Sequence, residues 1–327
     1  MRILFFGDGA WATRSVERLA QEGWTLLGVV ARTNPTDGRL FTVAEQLGLT
    51  IFQQKKVNAP DFVSQVRALK PDLNLSVSYN QILGAPIREI APLGFVNFHA
   101  GKLPNYRGRN VINWAIINGE TEIGLTSHYM DQGIDTGDII LQRSLPIAWT
   151  DCYADVLDKA VAALPDLVLD TVSLIASGQV QRRPQTHLPG TYFCGRLEGD
   201  EWLDWSDSSR NLYNKVRAIT RPGPGARTLL EDQQVIIWRA CYQPDWPNYI
   251  STAGQVVGRQ PGAGVLVKTG DSTLLVQEVQ TQGGSAEIPC WSIGTRLGAN
   301  LHSELMSHRA RIKKMEQKIG RFEGNGG

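Results

Sequence analysis

Apolar residues in the first half of the chain form short runs that alternate with amphipathic stretches. An unbroken apolar run between turn residues indicates a buried strand, and apolar residues spaced three and four apart indicate a helix. The predicted strands are Arg2–Phe6, Thr25–Ala31, Leu49–Phe52, Leu73–Val77 and Gly94–Phe98. The predicted helices are a stretch that ends near Gln21, then Phe41–Leu47 and Asp61–Leu69. Strands that alternate with helices predict an α/β fold, a parallel sheet with helices on both faces.

Further elements complete this first domain. Asn110–Ile117 has helical spacing, Ile123–Ser127 and Asp138–Leu145 are predicted strands, and Tyr153–Ser177 is a long amphipathic helix. We therefore place the domain at residues 1–184.

The pattern changes after the first domain. A polar stretch that contains Pro189 predicts a linker at 185–207, and Ser208–Ile219 is a short predicted helix. Short alternating strands follow at Val235–Ala240, Gly254–Gly258, Gly264–Lys268 and Thr273–Gln280. Strands of this length and spacing predict a small barrel or sandwich at 208–300. The remainder, 301–327, is predicted to be a basic helix, Ser303–Ile319, with a glycine-rich tail.

Composition narrows the classes of function. The 327 residues carry a formal net charge of +1, so no strong overall field attracts a polyanion. No apolar run has the length of a membrane span, and the first apolar run is too short for a signal peptide. The four cysteines lack zinc-ligand spacing, which predicts reduced thiols and no metal site. We expect a cytoplasmic protein without a membrane partner, and the sequence leaves open whether it forms a homo-oligomer.

Candidate chemistry centres on an amide and an imidazole at the end of a predicted strand. Asn97 and His99 are two residues apart, so they share one face if the strand extends to His99. A Leu-Pro turn follows them. An amide donor can stabilise an oxyanion and an imidazole can move a proton, which suits acyl transfer. A satisfied core histidine is the commoner role of a lone His, but the neighbouring Asn97 favours catalysis.

A loop rich in aspartate and glycine supplies the third candidate. Asp135 could tune the imidazole if the loop folds back to His99, although D-T-G-D is also ordinary turn chemistry. His128 is predicted either to line the same site or to fill a structural position. Gly7-Asp8-Gly9 lacks the full dinucleotide-binding spacing, so a dehydrogenase is disfavoured.

Three longer motifs resemble one enzyme family. They are N-x-H-x-x-x-L-P-x-Y-R-G from Asn97, W-A-I-x-N-G-E from Trp114, and D-x-G-x-D-T-G-D from Asp131. Together they are similar to the formyltransferases that use 10-formyltetrahydrofolate, over most of residues 1–184. The resemblance implies a Rossmann-like catalytic domain followed by a small OB-like barrel. It also implies a folate co-substrate and no metal.

The resemblance assigns roles to particular residues. Asn97, His99 and Asp135 match the family's catalytic trio. The pterin is expected between two walls, formed by Gln81, Ile82 and Leu83 on one side and Asp131, Gln132 and Ile134 on the other. The predicted acceptor-binding residues are Gly9, Trp11, Lys102, Arg107 and Arg109. The three basic residues either receive phosphate or form a solvated surface.

One departure from the family pattern lies beside the trio. The family usually has Ser-Leu-Leu-Pro where this chain has Gly101-Lys102-Leu103-Pro104. The trio is intact, but the altered turn bears on the identity of the acceptor.

The acceptor amine is inferred from loop length, from charge and from a local resemblance. Relatives that formylate methionyl-tRNA carry a longer basic loop where this chain has only Arg32–Phe41. From Glu201 onward there are 15 Lys and Arg residues against 12 Asp and Glu residues, a weak charge for tRNA binding. The stretch from Lys102 to Trp114 is also more similar to the members of the family that formylate nucleotide-linked amino sugars, so a sugar of this kind is the predicted acceptor. The alternatives are methionyl-tRNA, water (a formyltetrahydrofolate hydrolase) and a non-catalytic RNA-binding role for the OB-like domain.

Overall fold

The computed structural model describes residues 1–186, 192–231, 233–299, 305–306 and 308–316. The chain forms two compact units. The first contains Met1–Asp200 and Arg217–Gly223, and the second contains Glu201–Val216 and Pro224–Gly327. The predicted linker, 185–207, is therefore divided between them, and its part up to Asp200 belongs to the first unit.

The first unit is built on a seven-stranded sheet. The strands of this unit are β1 (Arg2–Gly7), β2 (Thr25–Ala31), β3 (Ile51–Gln53), β4 (Leu73–Val77), β5 (Phe95–His99), β6 (Arg107–Gly108), β7 (Glu122–Tyr129), β8 (Ile139–Pro146) and β9 (Tyr192–Phe193). The order across the large sheet is β3-β2-β1-β4-β5-β7-β8. The first five strands are parallel, whereas β7 is antiparallel to both β5 and β8. The short loop between β7 and β8 permits only an antiparallel pair.

Within residues 1–186, four helices connect the parallel strands, a fifth precedes β7 and a sixth follows β8. They are α1 (Gly9–Gln21), α2 (Arg39–Gln46), α3 (Pro60–Leu69), α4 (Ala85–Arg88), α5 (Val111–Ile117) and α6 (Tyr153–Ala176). Successive residues of β1, Ile3 to Phe6, are all fully buried. Because neighbouring side chains of a strand point to opposite faces, both faces of this strand are covered, as in other parallel sheets. Leu4 and Phe6 belong to one core cluster with Phe62 of α3.

The sequence pattern missed β6 and β9, which pair in parallel. Two-residue strands leave no periodic signal. The rings of Tyr106 and Phe193 stack beside this pair, with centroids 4.8 Å apart. The pairing and the stack attach the segment after α6 to the turn that follows β5.

The second unit is rich in β-structure, as predicted. Helix α7 (Ser209–Ile219) begins in this unit and ends in the first. The strands are β10 (Ala226–Leu230), β11 (Gln233–Cys241), β12 (Val256–Gln260), β13 (Gly264–Lys268) and β14 (Thr273–Thr281). They form an antiparallel sheet in the order β10-β11-β14-β13-β12. Leu297 bridges to Leu230 at one edge and Arg296 bridges to Gln255 beside the other.

Strand β10 was missed because R-P-G-P-G-A-R reads as a turn. The likeness of this unit to an OB barrel stays a prediction. Residues 308–316 are helical and exposed, and the rest of the predicted C-terminal helix and tail lies largely outside the described residues. Within the described part of the chain, no helix combines the length and apolar character needed to span a membrane.

Candidate active site

A cavity of about 730 Å³ opens beyond the ends of β4 and β5 in the first unit. Its walls come from the segment after β4, from the end of β5 and from the loop between β7 and β8. Ligands of open α/β sheets bind at this edge because the loops there vary freely while the strands hold them. Asn97, His99, His128 and Asp135 all line the cavity.

The structure brings the predicted trio together. Oδ2 of Asp135 lies 3.6 Å from Nδ1 of His99, and Nδ2 of Asn97 donates to Oδ1 of Asp135 over 3.4 Å. Asn97 and His99 share one face of β5, as their spacing predicts, while Phe98 between them is buried. The loop after β7 returns Asp135 to this face.

A hydrogen bond of His99 sets the tautomer of its ring. Nε2 lies 2.7 Å from the carbonyl oxygen of Tyr106, so Nε2 carries a hydrogen and donates it. In the neutral ring Nδ1 is then the free acceptor, and Nδ1 faces Asp135 and the cavity. This tautomer follows from the hydrogen-bond partners.

His128 is a fourth member of the cluster. It lies opposite Asn97 in the β5–β7 pair, 2% exposed, with its Nε2 3.2 Å from Nδ2 of Asn97 and 3.5 Å from Oδ1 of Asp135. Its Nδ1 donates to the carbonyl oxygen of Tyr129 over 2.8 Å. Of the two roles open from the sequence, the structure gives His128 the one that lines the site. The sequence pattern alone does not show that β7 pairs with β5, and this pairing is the information that would have predicted the position of His128.

Asp135 is held as an anion. Burial by itself raises the pKa of this carboxyl, but the nearby rings of His99 and His128 and the N–H of Gly108 outweigh it and lower the pKa to about 2. Gly108 donates to Oδ2 over 2.9 Å. Asp135 also has a φ of 55°, a left-handed conformation that is strained for a residue with a side chain. Backbone strain of this kind concentrates at functional sites.

Gly101 lies against the imidazole of His99. A β-carbon at this position would stand under 3.0 Å from the His99 ring and from the Tyr106 carbonyl oxygen. Glycine therefore leaves room for the His99–Tyr106 hydrogen bond. The serine usual in the family would not fit this backbone without a shift of the turn.

The two predicted pterin walls both line the cavity. Ile82 is 78% exposed on one wall and Ile134 is 55% exposed on the other. Gln81 is fixed by its side chain, which accepts from Val57 N over 3.0 Å and donates to Gln54 O over 2.6 Å. A cavity of this size, with exposed apolar side chains and a few polar groups, fits a folate.

None of the five predicted acceptor-binding residues lines this cavity. Arg107 is 2% exposed, stacks over Tyr192 and donates to the Thr186 carbonyl, so it does not present its charge to a phosphate. Lys102 is paired with Glu122 beside a separate cavity of about 140 Å³. Arg109 is exposed and lines neither cavity. The turn after β5 therefore gives these three basic side chains different surroundings, although they are close in sequence.

Gly9 and Trp11 do not line the cavity either. They begin α1, where Asp8 is buried and pairs with Arg32 and Thr36. Among the described residues, no group of three or more His, Cys, Asp or Glu side chains could hold a metal ion.

Comparison with known proteins decides the class of this site. The family model for formyl transferase matches residues 1–171, and the model for the formyl transferase C-terminal domain matches residues 198–288. The chain belongs to the formyl transferase family. It is a formyltransferase, which confirms the class of enzyme predicted from the motifs.

Curated relatives are similar over both domains. Methionyl-tRNA formyltransferase of Symbiobacterium thermophilum is 36% identical over 292 residues, which cover 86% of this chain and 89% of the relative. The enzyme of the same name from Desulforamulus reducens is 33% identical over 291 residues, covering 86% of this chain and 91% of the relative.

Solved structures share the fold of this formyltransferase. WlaRD, a sugar 3N-formyl transferase crystallised with dTDP and 5-N-formyl-THF, has a TM-score of 0.66 at 19% identity, over 85% of this chain and 97% of its own. The N-formyltransferase of Helicobacter canadensis, in complex with folinic acid and dTDP-3-aminofucose, has a TM-score of 0.64 at 19% identity, over 84% and 98%.

Proposed function

We propose that this enzyme moves the formyl group of 10-formyltetrahydrofolate to the primary amine of methionyl-tRNA. The transfer is supported by one observation above others, the cluster of Asn97, His99 and Asp135 on the wall of a folate-sized cavity. The acceptor is supported by the relatives, whose sequences match both domains of this chain.

The chemistry begins when the neutral amine attacks the formyl carbon. A C–N bond forms, the carbonyl electrons move to oxygen, and Nδ2 of Asn97 donates to the resulting oxyanion. Loss of one such donor costs about 3 kcal/mol of transition-state stabilisation. The donor must leave Asp135 or His128 to reach the oxyanion, and both contacts, at 3.4 and 3.2 Å, are long enough to be exchanged.

Nδ1 of His99 carries out the proton transfer. It takes the proton of the attacking ammonium and returns it to N10 of the folate as the bond from the formyl carbon to N10 breaks. Asp135 remains ionised because its pKa is about 2, and it stabilises the imidazolium that exists between these two steps. The products are the formamide and tetrahydrofolate.

A nucleotide-linked amino sugar is the second candidate acceptor. The short loop Arg32–Phe41 and the nearly balanced charge after Glu201 favour it over tRNA. Against it stands the position of Lys102, Arg107 and Arg109, none of which lines the cavity. We therefore rank the sugar below the tRNA.

An acceptor panel tests the proposal. The enzyme is incubated with 10-formyltetrahydrofolate and, in separate reactions, methionyl-tRNA and dTDP-, UDP- and GDP-linked amino sugars, and tetrahydrofolate formation is followed by absorbance. We expect turnover with methionyl-tRNA that falls steeply with salt. Turnover with a sugar and none with the tRNA would reject the tRNA assignment. Formate release without any acceptor would instead identify a hydrolase.

A further inference from the structure

The segment that follows α6 lies along the loop that carries Asp135. Arg183 and Ile139 exchange both backbone hydrogen bonds, at 2.9 and 3.0 Å. The guanidinium of Arg182 stacks 3.9 Å above the centre of the Tyr129 ring. These contacts hold the segment against the end of β7 and the start of β8. Gln185, two residues after Arg183, therefore places its side chain against the loop that carries Asp135.

Gln185 is buried, with 9% of its surface exposed. Its Nε2 donates to two carbonyl oxygens, that of Asp135 over 3.0 Å and that of Gly137 over 2.7 Å. A primary amide has two N–H groups, so one side chain satisfies both carbonyls at once. The bonds span Thr136 and hold together the two ends of the tight turn that begins at Asp135.

We propose that Gln185 is a positioning residue that holds Asp135 in its left-handed conformation and so directs the carboxylate between His99 and His128. This inference rests on the role of Asp135 in the proposed function. The φ of 55° at Asp135 stores backbone strain comparable with the net contribution of one or two hydrogen bonds. The two bonds from Gln185 are therefore of the right size to keep the conformation.

A second contact from the same segment acts on the carboxylate itself. Phe193 pairs with Gly108 in the β6–β9 ladder and accepts from Arg109 N over 2.8 Å. Gly108 in turn donates its N–H to Oδ2 of Asp135 over 2.9 Å. Gln185 thus holds the backbone of Asp135, and the strand pair at Phe193 presents the donor that holds its side chain.

An amide is required at position 185. The substitution Gln185→Glu keeps the shape but places a carboxylate against two carbonyl oxygens and near Asp135, which repels all three. The substitution Gln185→Ala leaves two buried carbonyls without their donor. Both variants release the turn, and only the first adds a charge.

The experiment measures kcat and the KM for 10-formyltetrahydrofolate, with the acceptor found to turn over, in Gln185→Ala, Gln185→Glu, Asp135→Asn and the double variant Gln185→Ala/Asp135→Asn. Arg183→Ala is the matched control, because its side chain is exposed in the same segment. We expect kcat to fall roughly a hundredfold in Gln185→Ala, as for other displacements of a catalytic group by about 1 Å. KM should change little, and Arg183→Ala should match the wild type.

The double variant separates positioning from general support. If Gln185 acts through Asp135, its removal has no further effect on kcat once Asp135→Asn is present. Additive losses, or a normal kcat in folded Gln185→Ala and Gln185→Glu, would overturn the inference while leaving the trio intact. A normal kcat in Asp135→Asn would instead overturn the proposed role of Asp135 itself.

Discussion

Nδ1 of His99 faces Oδ2 of Asp135 across 3.6 Å. The distance is longer than a hydrogen bond, which suits a pair that tightens when the ring takes a proton. The carboxylate is already ionised, so proton uptake by the ring creates an ion pair in a largely buried site. Asp135 thus favours the charged ring that the reaction creates.

The buried carboxylate predicts a specific dependence of stability on pH. The pKa of Asp135 falls from 3.8 to about 2 on folding. A lowered pKa gives stability that is present above the unfolded value and is lost as pH falls through the folded value. We expect Asp135 to contribute about 2 kcal/mol that disappears across this range.

The measurement compares urea unfolding of the wild type and Asp135→Asn across the same range. The unfolding free energy of the wild type should fall by about 2 kcal/mol relative to that of Asp135→Asn as the pH falls from 3.8 through about 2. A constant difference would show that the carboxyl has an ordinary pKa in the folded protein.

Replacement of His128 should slow the reaction. His128→Ala removes the ring nitrogen that accepts a hydrogen bond from Asn97 and leaves a gap beside Asp135, and one such hydrogen bond is worth about 1 kcal/mol, roughly fivefold in kcat. Steady-state kinetics provide the measurement, with His308→Ala, an exposed histidine of the second unit, as control. Equal kcat in both variants would show that His128 has only a structural role.

A side chain at Gly101 should damage catalysis through His99. Gly101→Ser restores the usual family residue but forces a β-carbon into the His99–Tyr106 contact. We expect a loss in kcat of about tenfold, the value of one broken hydrogen bond. Gly38→Ala is the control, because nothing lies within 4 Å of its added methyl and its φ is −86°. A fully active Gly101→Ser would mean that the turn adapts and that Nε2 of His99 has no fixed partner.

The exposed isoleucines of the two walls should bind the folate. Removing the side chain in Ile82→Ala or Ile134→Ala forfeits about 1 to 2 kcal/mol of apolar burial, so KM for 10-formyltetrahydrofolate should rise roughly tenfold. Thermal stability should not change, since both side chains are exposed in the free protein. Ile250→Ala, at a residue 98% exposed in the second unit, is the kinetic control. An unchanged KM in both wall variants would place the folate elsewhere.

The sequence predicts the relative placement of site residues that lie on the same strand. Asn97 and His99 share a face because two residues separate them, and period-two alternation is a local rule. The approach of Asp135 came from the family resemblance. The role of Gln185 was hidden, because a polar residue after a proline reads as loop.

The basic residues after β5 show where sequence reasoning ends. Lys102, Arg107 and Arg109 are close in sequence, which predicts one basic cluster, but Arg107 is buried, Lys102 is paired with Glu122 and Arg109 is exposed. In a tight turn, consecutive side chains point in different directions, and no periodic rule relates them. His128 shows the same limit, since its partnership with Asn97 follows from strand order.

The most direct test compares wild type, Asn97→Ala and His99→Ala. Formyl transfer from 10-formyltetrahydrofolate is measured as kcat, and binding of the folate as Kd by calorimetry. The trio assignment predicts that each variant stays folded, binds folate with nearly normal Kd and loses about a hundredfold or more in kcat. A folded His99→Ala or Asn97→Ala enzyme with near-normal kcat would contradict it.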